Sequence, residues 1–171
     1  AGGELCGCGS RGCFEQYASG RALERYARKR AGVADDDPEG RMARLRERGR
    51  LKGRVVSQLA FQGYPGAEAA VAELAHWLGI GLLNLTNTFN PEIIVIGGGV
   101  SNLGDLIIKP AERMVHETAL LPNREQVRVV RASLGNLAGI VGGGLAAWDF
   151  LASCANLETC DTRDRVPPER I

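Results

Sequence analysis

An α/β layer with two parallel strands is the fold class expected of this chain of 171 residues, and three features carry the expectation. Glu92-Ile93-Ile94-Val95-Ile96 is a continuous β-branched run, the pattern of a central strand covered on both faces. Val127-Arg128-Val129-Val130 is a second short run of the same kind. Around them lie stretches with apolar residues at helical spacing, and the order strand, helix, strand, helix places the two strands parallel through a right-handed crossover.

Composition narrows the function classes. With 44% hydrophobic and 24% charged residues there is material for one core, and a disordered chain is excluded. Lys plus Arg number 21 against 20 Asp plus Glu, so a net charge of +1 supplies no large field for DNA or an anionic membrane. The longest nearly unbroken apolar run, 93–100, is far short of the roughly 18 residues a bilayer span needs, and no basic stretch followed by an apolar core opens the chain. A soluble, cytoplasmic protein is expected. Aromatics at 5% and 23 glycines favour helices and sheet packed through small side chains over a β-sandwich.

In chain order, residues 1–13 hold three of the five cysteines among glycines, a composition for a tight loop. From Phe14 the positions Tyr17, Ala18, Leu23, Tyr26 and Ala27 recur near helical spacing. Arg25, Arg28, Lys29 and Arg30 gather toward the C-terminal end, where the helix dipole favours cations. Gly32 and Asp35-Asp36-Asp37-Pro38 end that helix. The arginine-rich segment 39–54 is expected to form a short surface helix and a turn with its guanidinium groups in solvent; glycines interrupt it and no aromatics interleave for base stacking. Residues 55–62 give another short helix, closed by Gly63-Tyr64-Pro65-Gly66.

The longest helical pattern, 67–88, is apolar nearly all round and is expected to be buried, with Trp77 in the core. Asn90-Pro91 stops it, because the residue before proline is pushed out of the α region. Gly97-Gly98-Gly99 follows the first strand, and Ser101 or Asn102 is the expected cap of a helix running to about Leu120. A closing helix over 137–151 holds Trp148 in the core, with Gly142-Gly143-Gly144 admitting close helix packing. Residues 153–171 are polar, carry Pro167-Pro168 and are expected to form a loose tail with Cys154 and Cys160 as free thiols.

Cys6, Cys8 and Cys13 give C-x-C-x4-C, and Gly7, Gly9 and Gly12 let the backbone fold three thiols round one point. Three soft thiolates suit Zn²⁺ in a tetrahedral structural site, which needs a fourth ligand. His76 and His116 are remote in sequence and make poor candidates. Three ordinary thiols, or a disulfide and one thiol, are the alternatives on the residues alone. Glu15 by itself reads as an acid in the first turn of a helix. Gly97-Gly98-Gly99 sits at the carboxyl end of the first strand, where ligands of open α/β folds collect, yet it also fits a plain structural turn; it is neither a Walker motif nor G-x-G-x-x-G.

The run Cys6-Gly7-Cys8-Gly9-Ser10-Arg11-Gly12-Cys13-Phe14-Glu15 matches C-x-C-G-x-x-G-C-x-E and resembles the signature of the ROK family, the bacterial sugar kinases and related repressors. The resemblance continues through Gln16-Tyr17-Ala18-Ser19-Gly20, through Asn90-Pro91-Glu92-Ile93-Ile94-Val95-Ile96-Gly97-Gly98-Gly99-Val100-Ser101, and through Ala132-Ser133-Leu134-Gly135-Asn136-Leu137-Ala138-Gly139. Roughly residues 6–151 are covered, in the order expected of the C-terminal half of a ROK glucokinase.

That resemblance implies a C-terminal lobe of the actin-like, ribonuclease H-like ATPase fold, incomplete without an N-terminal lobe. It implies that Cys6, Cys8 and Cys13 bind a structural zinc together with a histidine that precedes them, and that the ion braces a sugar-contacting loop. It implies that Glu15 accepts hydrogen bonds from sugar hydroxyls and that Gly97, Gly98 and Gly99 contact the adenosine of ATP. The Asp-x-Gly-x-Thr phosphate loop, the catalytic aspartate and the Glu-x-Gly-His segment of these kinases do not occur in the 171 residues. Residue 1 is Ala1, so a chain that begins inside a longer protein is expected.

The expectation is therefore part of an ATP-dependent glucokinase, transferring the γ-phosphate to the 6-hydroxyl of glucose with Zn, ATP and Mg, and inactive as this segment alone. It expects a homo-oligomer in the intact protein and no membrane or nucleic-acid partner. The rival is a sugar-sensing ROK repressor whose DNA-binding domain lies upstream. The corresponding division is a zinc loop over 1–13, an α/β kinase lobe over 14–152 and a tail over 153–171.

Overall fold

Ser19 starts the first long element: its Oγ accepts from the Ala22 N–H at 3.2 Å and caps α1 (Gly20–Arg30). Ahead of it lie a loop from Gly2 and a 3-10 turn, Phe14–Gln16, so the helix expected from Phe14 begins only at Gly20. The structure, a computed structural model, describes residues 2–155, which divide into two units, one ending at Gly135 and the other starting at Asn136.

In the first unit α1 is followed by α2 (Arg41–Glu47), α3 (Gly53–Phe61) and α4 (Pro65–Phe89). The α2 helix has seven residues and an N-cap, Gly40, with no side chain to offer, so it borrows a cap from upstream. Asp37 is buried and accepts from the N–H groups of Met42 (2.9 Å), Ala43 (2.8 Å) and Gly32 (3.0 Å), and from the Tyr64 hydroxyl. Burial alone would push this carboxyl up, but the Tyr64 hydroxyl and the three N–H groups together hold it below the usual carboxylate range.

The α4 helix is the central element, packed on α1, α3 and most extensively on α5 (Asp105–Thr118). Small residues on its buried face, Ala67, Ala70 and Ala75, allow close approach. A Cβ at Gly79 would lie 2.8 Å from the Met114 Sδ and 3.3 Å from the Ala111 Cα, so α5 crosses there at short range. The opposite face departs from the expectation of burial all round: Leu85 and Phe89 are exposed. By length and apolarity α4 is sufficient to cross a bilayer, but its buried face is spent on three neighbouring helices.

The strands are β1 (Ile93–Ile96) and β2 (Arg128–Arg131), paired parallel with Ile93 opposite Arg128 and Ile96 opposite Arg131. Ile94 and Ile96 pack against the core while Ile93 is 45% and Val95 57% exposed. Coverage on both faces is thus not found among the described residues, because α5 and its neighbours line one side of the pair only. The cap expected at Ser101 or Asn102 is also replaced. Residues Gly99–Leu103 form a 3-10 turn, Ser101 Oγ donates to the Gly98 carbonyl at 2.7 Å, and α5 starts after Gly104. A one-turn helix, α6 (Asn123–Gln126), precedes β2 and was not expected.

The second unit contributes α7 (Ala138–Ala155). Trp148, expected in a core, is exposed, and a Cβ at Gly142, Gly143 or Gly144 would meet nothing within 4 Å among the described residues. Close packing at these glycines is therefore not found. The tail from 156 onward, Cys160 included, and the side chain of Cys154 lie outside the described residues.

Candidate functional site

The cysteine loop folds back on itself through its own backbone. Leu5 and Arg11 form an antiparallel bridge, Cys6 N–H donates to Ser10 O at 2.8 Å, Gly9 N–H to Cys6 O at 3.0 Å, and Gly12 N–H to Glu4 O at 3.0 Å. These turns bring the Sγ atoms of Cys6, Cys8 and Cys13 within 4.8 Å of one another, with Cys8 and Cys13 at 3.5 Å. Gly3 is needed for the fold-back, since a Cβ there would lie 2.8 Å from the Tyr17 hydroxyl and 3.0 Å from the Gly12 Cα. Tetrahedral Zn²⁺ with bonds of about 2.3 Å separates its sulfurs by about 3.8 Å. The donor set fits that geometry, and neither His76 nor His116 belongs to the cluster.

The thiols are electrostatically unequal. Cys8 is drawn down to about 7, first by the backbone hydrogen bond from Ser10 and then by the Cys13 thiol. Cys13 is pushed up to about 11, chiefly because its proton is held in the contact with Cys8 and then by Cys6. Three clustered thiolates repel one another, and a divalent cation removes that conflict.

Two residues beyond Cys13, Glu15 sits exposed in the 3-10 turn with no hydrogen-bond or ion-pair partner among the described residues. The turn that carries it is fixed from several sides. The Tyr17 hydroxyl accepts from Glu4 N–H at 3.0 Å, its carbonyl accepts from the Tyr26 hydroxyl at 3.0 Å, and its ring packs on Trp77 of α4 with centroids 4.6 Å apart. Arg25 of α1 donates to the Gln16 carbonyl and lies 3.6 Å from the Glu4 carboxylate. Trp77, expected in the core, packs against it while remaining half-buried, and His76 beside it is exposed.

Gly81 of α4 completes the support. A Cβ placed there would overlap the Phe14 ring, with ring carbons at 2.2 to 3.0 Å. Gly81→Ala is therefore expected to displace Phe14 from its seat and to destabilise the first unit by about 1–3 kcal/mol, read by thermal or denaturant unfolding. An unchanged midpoint would mean that the ring does not depend on this glycine. Sequence reasoning missed Tyr17, Arg25, Trp77 and Gly81 as supports; the one available signal was a glycine inside a long apolar helix.

Gly97-Gly98-Gly99 forms an open turn at the carboxyl end of β1. Gly98 has φ of 82°, a left-handed value, and neither Gly98 nor Gly99 would present a Cβ to anything within 4 Å. The turn abuts the start of α1, where a Cβ at Gly20 would lie 3.7 Å from Val100 Cγ2. Backbone amides are thus accessible to a ligand without side chains in the way.

A match to the ROK family runs over residues 1–149. The chain belongs to the ROK family. The glucokinase of Streptomyces coelicolor is 43% identical over 82% of this chain and 45% of its own length. The xylose repressor of Caldicellulosiruptor bescii is 28% identical over 81% of this chain and 34% of its own length. A ROK family glucokinase from Streptomyces griseus, solved in complex with glucose and AMPPNP, superposes with a TM-score of 0.69 at 39% identity, over 82% of this chain and 46% of that one. The ROK chain described here thus spans about half the length of the glucokinases it matches. Its α/β fold, with parallel strands and packed helices, is that of the actin-like ATPases to which ROK sugar kinases belong.

Proposed function

We propose that this chain is part of an ATP-dependent hexokinase that transfers the γ-phosphate to the 6-hydroxyl of glucose in the cytoplasm, as a homo-oligomer when intact. The observation that carries the reading is the cysteine loop itself. Three thiols within 4.8 Å of one another are followed directly by an exposed, unpartnered carboxylate, in a chain 43% identical to a glucokinase over 82% of its length. Cys6, Cys8 and Cys13 hold zinc, with a fourth ligand from outside the described residues. A zinc ion held there would brace the loop that carries Glu15.

Glu15, held on that loop, accepts hydrogen bonds from neighbouring sugar hydroxyls and orients the ring. Gly97, Gly98 and Gly99 seat the adenosine against open backbone. The aspartate that takes the proton from the 6-hydroxyl, the phosphate loop and the Mg²⁺ that accompanies it come from outside these residues, so the 171-residue chain alone does not turn over.

Glucose-dependent ADP release by the protein that contains this chain tests the reading. Glu15→Gln keeps the shape and removes the charge; it is expected to lower kcat/KM for glucose about 10- to 100-fold, the worth of one or two charge-assisted hydrogen bonds. An undiminished kcat/KM would remove Glu15 from the site. The likeness to a xylose repressor supports a second reading, a sugar sensor. Sugar-dependent release from DNA without any ADP production would select it.

A further inference from the structure

Four arginines surround one cleft of about 360 Å³ formed by α2, the chain that follows it and α3: Arg41, Arg44, Arg48 and Arg50. Leu45 and Val55 give it an apolar wall, and Gln58 is its only other polar lining residue. No carboxylate lines it. The guanidinium groups of Arg48 and Arg50 have no hydrogen-bond or ion-pair partner among the described residues, their backbones alone being bonded, Arg48 N–H to the Arg44 carbonyl and Arg50 N–H to the Leu45 carbonyl. Arg41 and Arg44 each meet a neutral acceptor, Gln62 Oε1 at 3.1 Å and the Glu39 carbonyl at 2.7 Å.

The same chain neutralises arginines elsewhere. Arg25 faces Glu4, Arg28 meets Glu24 at 3.2 Å, and Arg30 meets Glu73 at 2.8 Å. The cleft differs from these three sites in that four guanidinium groups are gathered in one lining that holds no carboxylate. Arg41, Arg44 and Arg48 recur at i, i+3 and i+7, which sets like charges on one helical face at a cost to the helix. Their backbone is nonetheless rigid, because the Asp37 carboxylate fixes the N–H groups of Met42 and Ala43 in the same helix.

We propose that this cleft binds a compact anion carrying two or more phosphoryl groups. Guanidinium forks match phosphoryl oxygens in pairs, and four of them balance a charge that a single phosphate does not carry. The volume is at the lower end of small-molecule sites. With no aromatic side chain in the lining to stack a base, the cleft favours a small ligand over a nucleic-acid strand. None of the lining residues belongs to the cysteine loop, Glu15 or the glycine turn, so the site stands or falls apart from the sugar-kinase reading.

Calorimetric titration of the 171-residue chain with inorganic triphosphate, and separately with fructose 1,6-bisphosphate, tests it. Saturable binding of one triphosphate or bisphosphate per chain is expected. The Arg48→Gln/Arg50→Gln double variant is expected to weaken it at least about tenfold, while Arg21→Gln/Arg113→Gln, which removes the same charge elsewhere, leaves it within about twofold. The stronger of the two ligands tells whether a contiguous phosphate chain or two esters on a carbon frame is preferred. Non-saturating heats, equal losses in the two double variants, or tighter binding of a short oligonucleotide than of either ligand would overturn the assignment. A second measurement needs no variant. Triphosphate should shield Arg48 and Arg50, but not Arg21, from phenylglyoxal as mapped by mass spectrometry, and unshielded Arg48 and Arg50 would equally overturn it.

Discussion

Asp37→Ala is expected to cost about 3–5 kcal/mol of unfolding free energy, because four donors lose their acceptor at once in a buried place. The Met42 and Ala43 N–H groups, the Gly32 N–H and the Tyr64 hydroxyl all end on this one carboxylate. Urea unfolding of the variant beside the parent chain measures the loss, and a difference below about 1 kcal/mol would mean that water replaces the carboxylate without penalty. The pH dependence has a definite sign. Since the folded carboxyl is held below its ordinary value, its contribution is fully present above the unfolded pKa of about 3.9 and is lost as pH falls through the folded value. Asp37→Asn should flatten that acid limb, because the amide has no proton to gain over this range.

Cys8→Ser is expected to take zinc content from about one per chain to below about a tenth, measured by elemental analysis of protein prepared under reducing conditions. A hydroxyl does not ionise at neutral pH and is a poor substitute for a soft thiolate. Only two sulfurs would remain to hold the ion. Because metal binding and loop order are linked, chelation of the parent chain should also speed hydrogen exchange at the Cys6 and Gly12 amides, whose bonds to Ser10 and Glu4 close the loop. Zinc retained in full by the serine variant would sink the three-sulfur site.

Much of this arrangement was legible from residue spacing. Cys6, Cys8 and Cys13 converge because glycines at 7, 9 and 12 let the chain turn between them, and a parallel β1 and β2 follow from two β-branched runs separated by a helix. What spacing could not convey was which surface each element meets. The run Ile93-Ile94-Val95-Ile96 is equally apolar on both sides, so its sequence is silent on the exposure of Ile93 and Val95. Among Asp35, Asp36 and Asp37, which read as a single helix-ending run, only Asp37 is buried, and that depends on where Tyr64 and α2 arrive from later in the chain. Ser101 had the chemistry of a helix cap, but its hydroxyl turns back to Gly98 because the chain tightens into a 3-10 turn first. Gly81 is informative only once Phe14 is seen against it.

The Tyr17–Trp77 contact makes the chain self-reporting. It has two indoles: Trp77, half-buried against the ring that anchors the cysteine loop, and Trp148, 71% in solvent. Their emission therefore differs in colour, and the bluer component follows the packing around Glu15 without any attached dye.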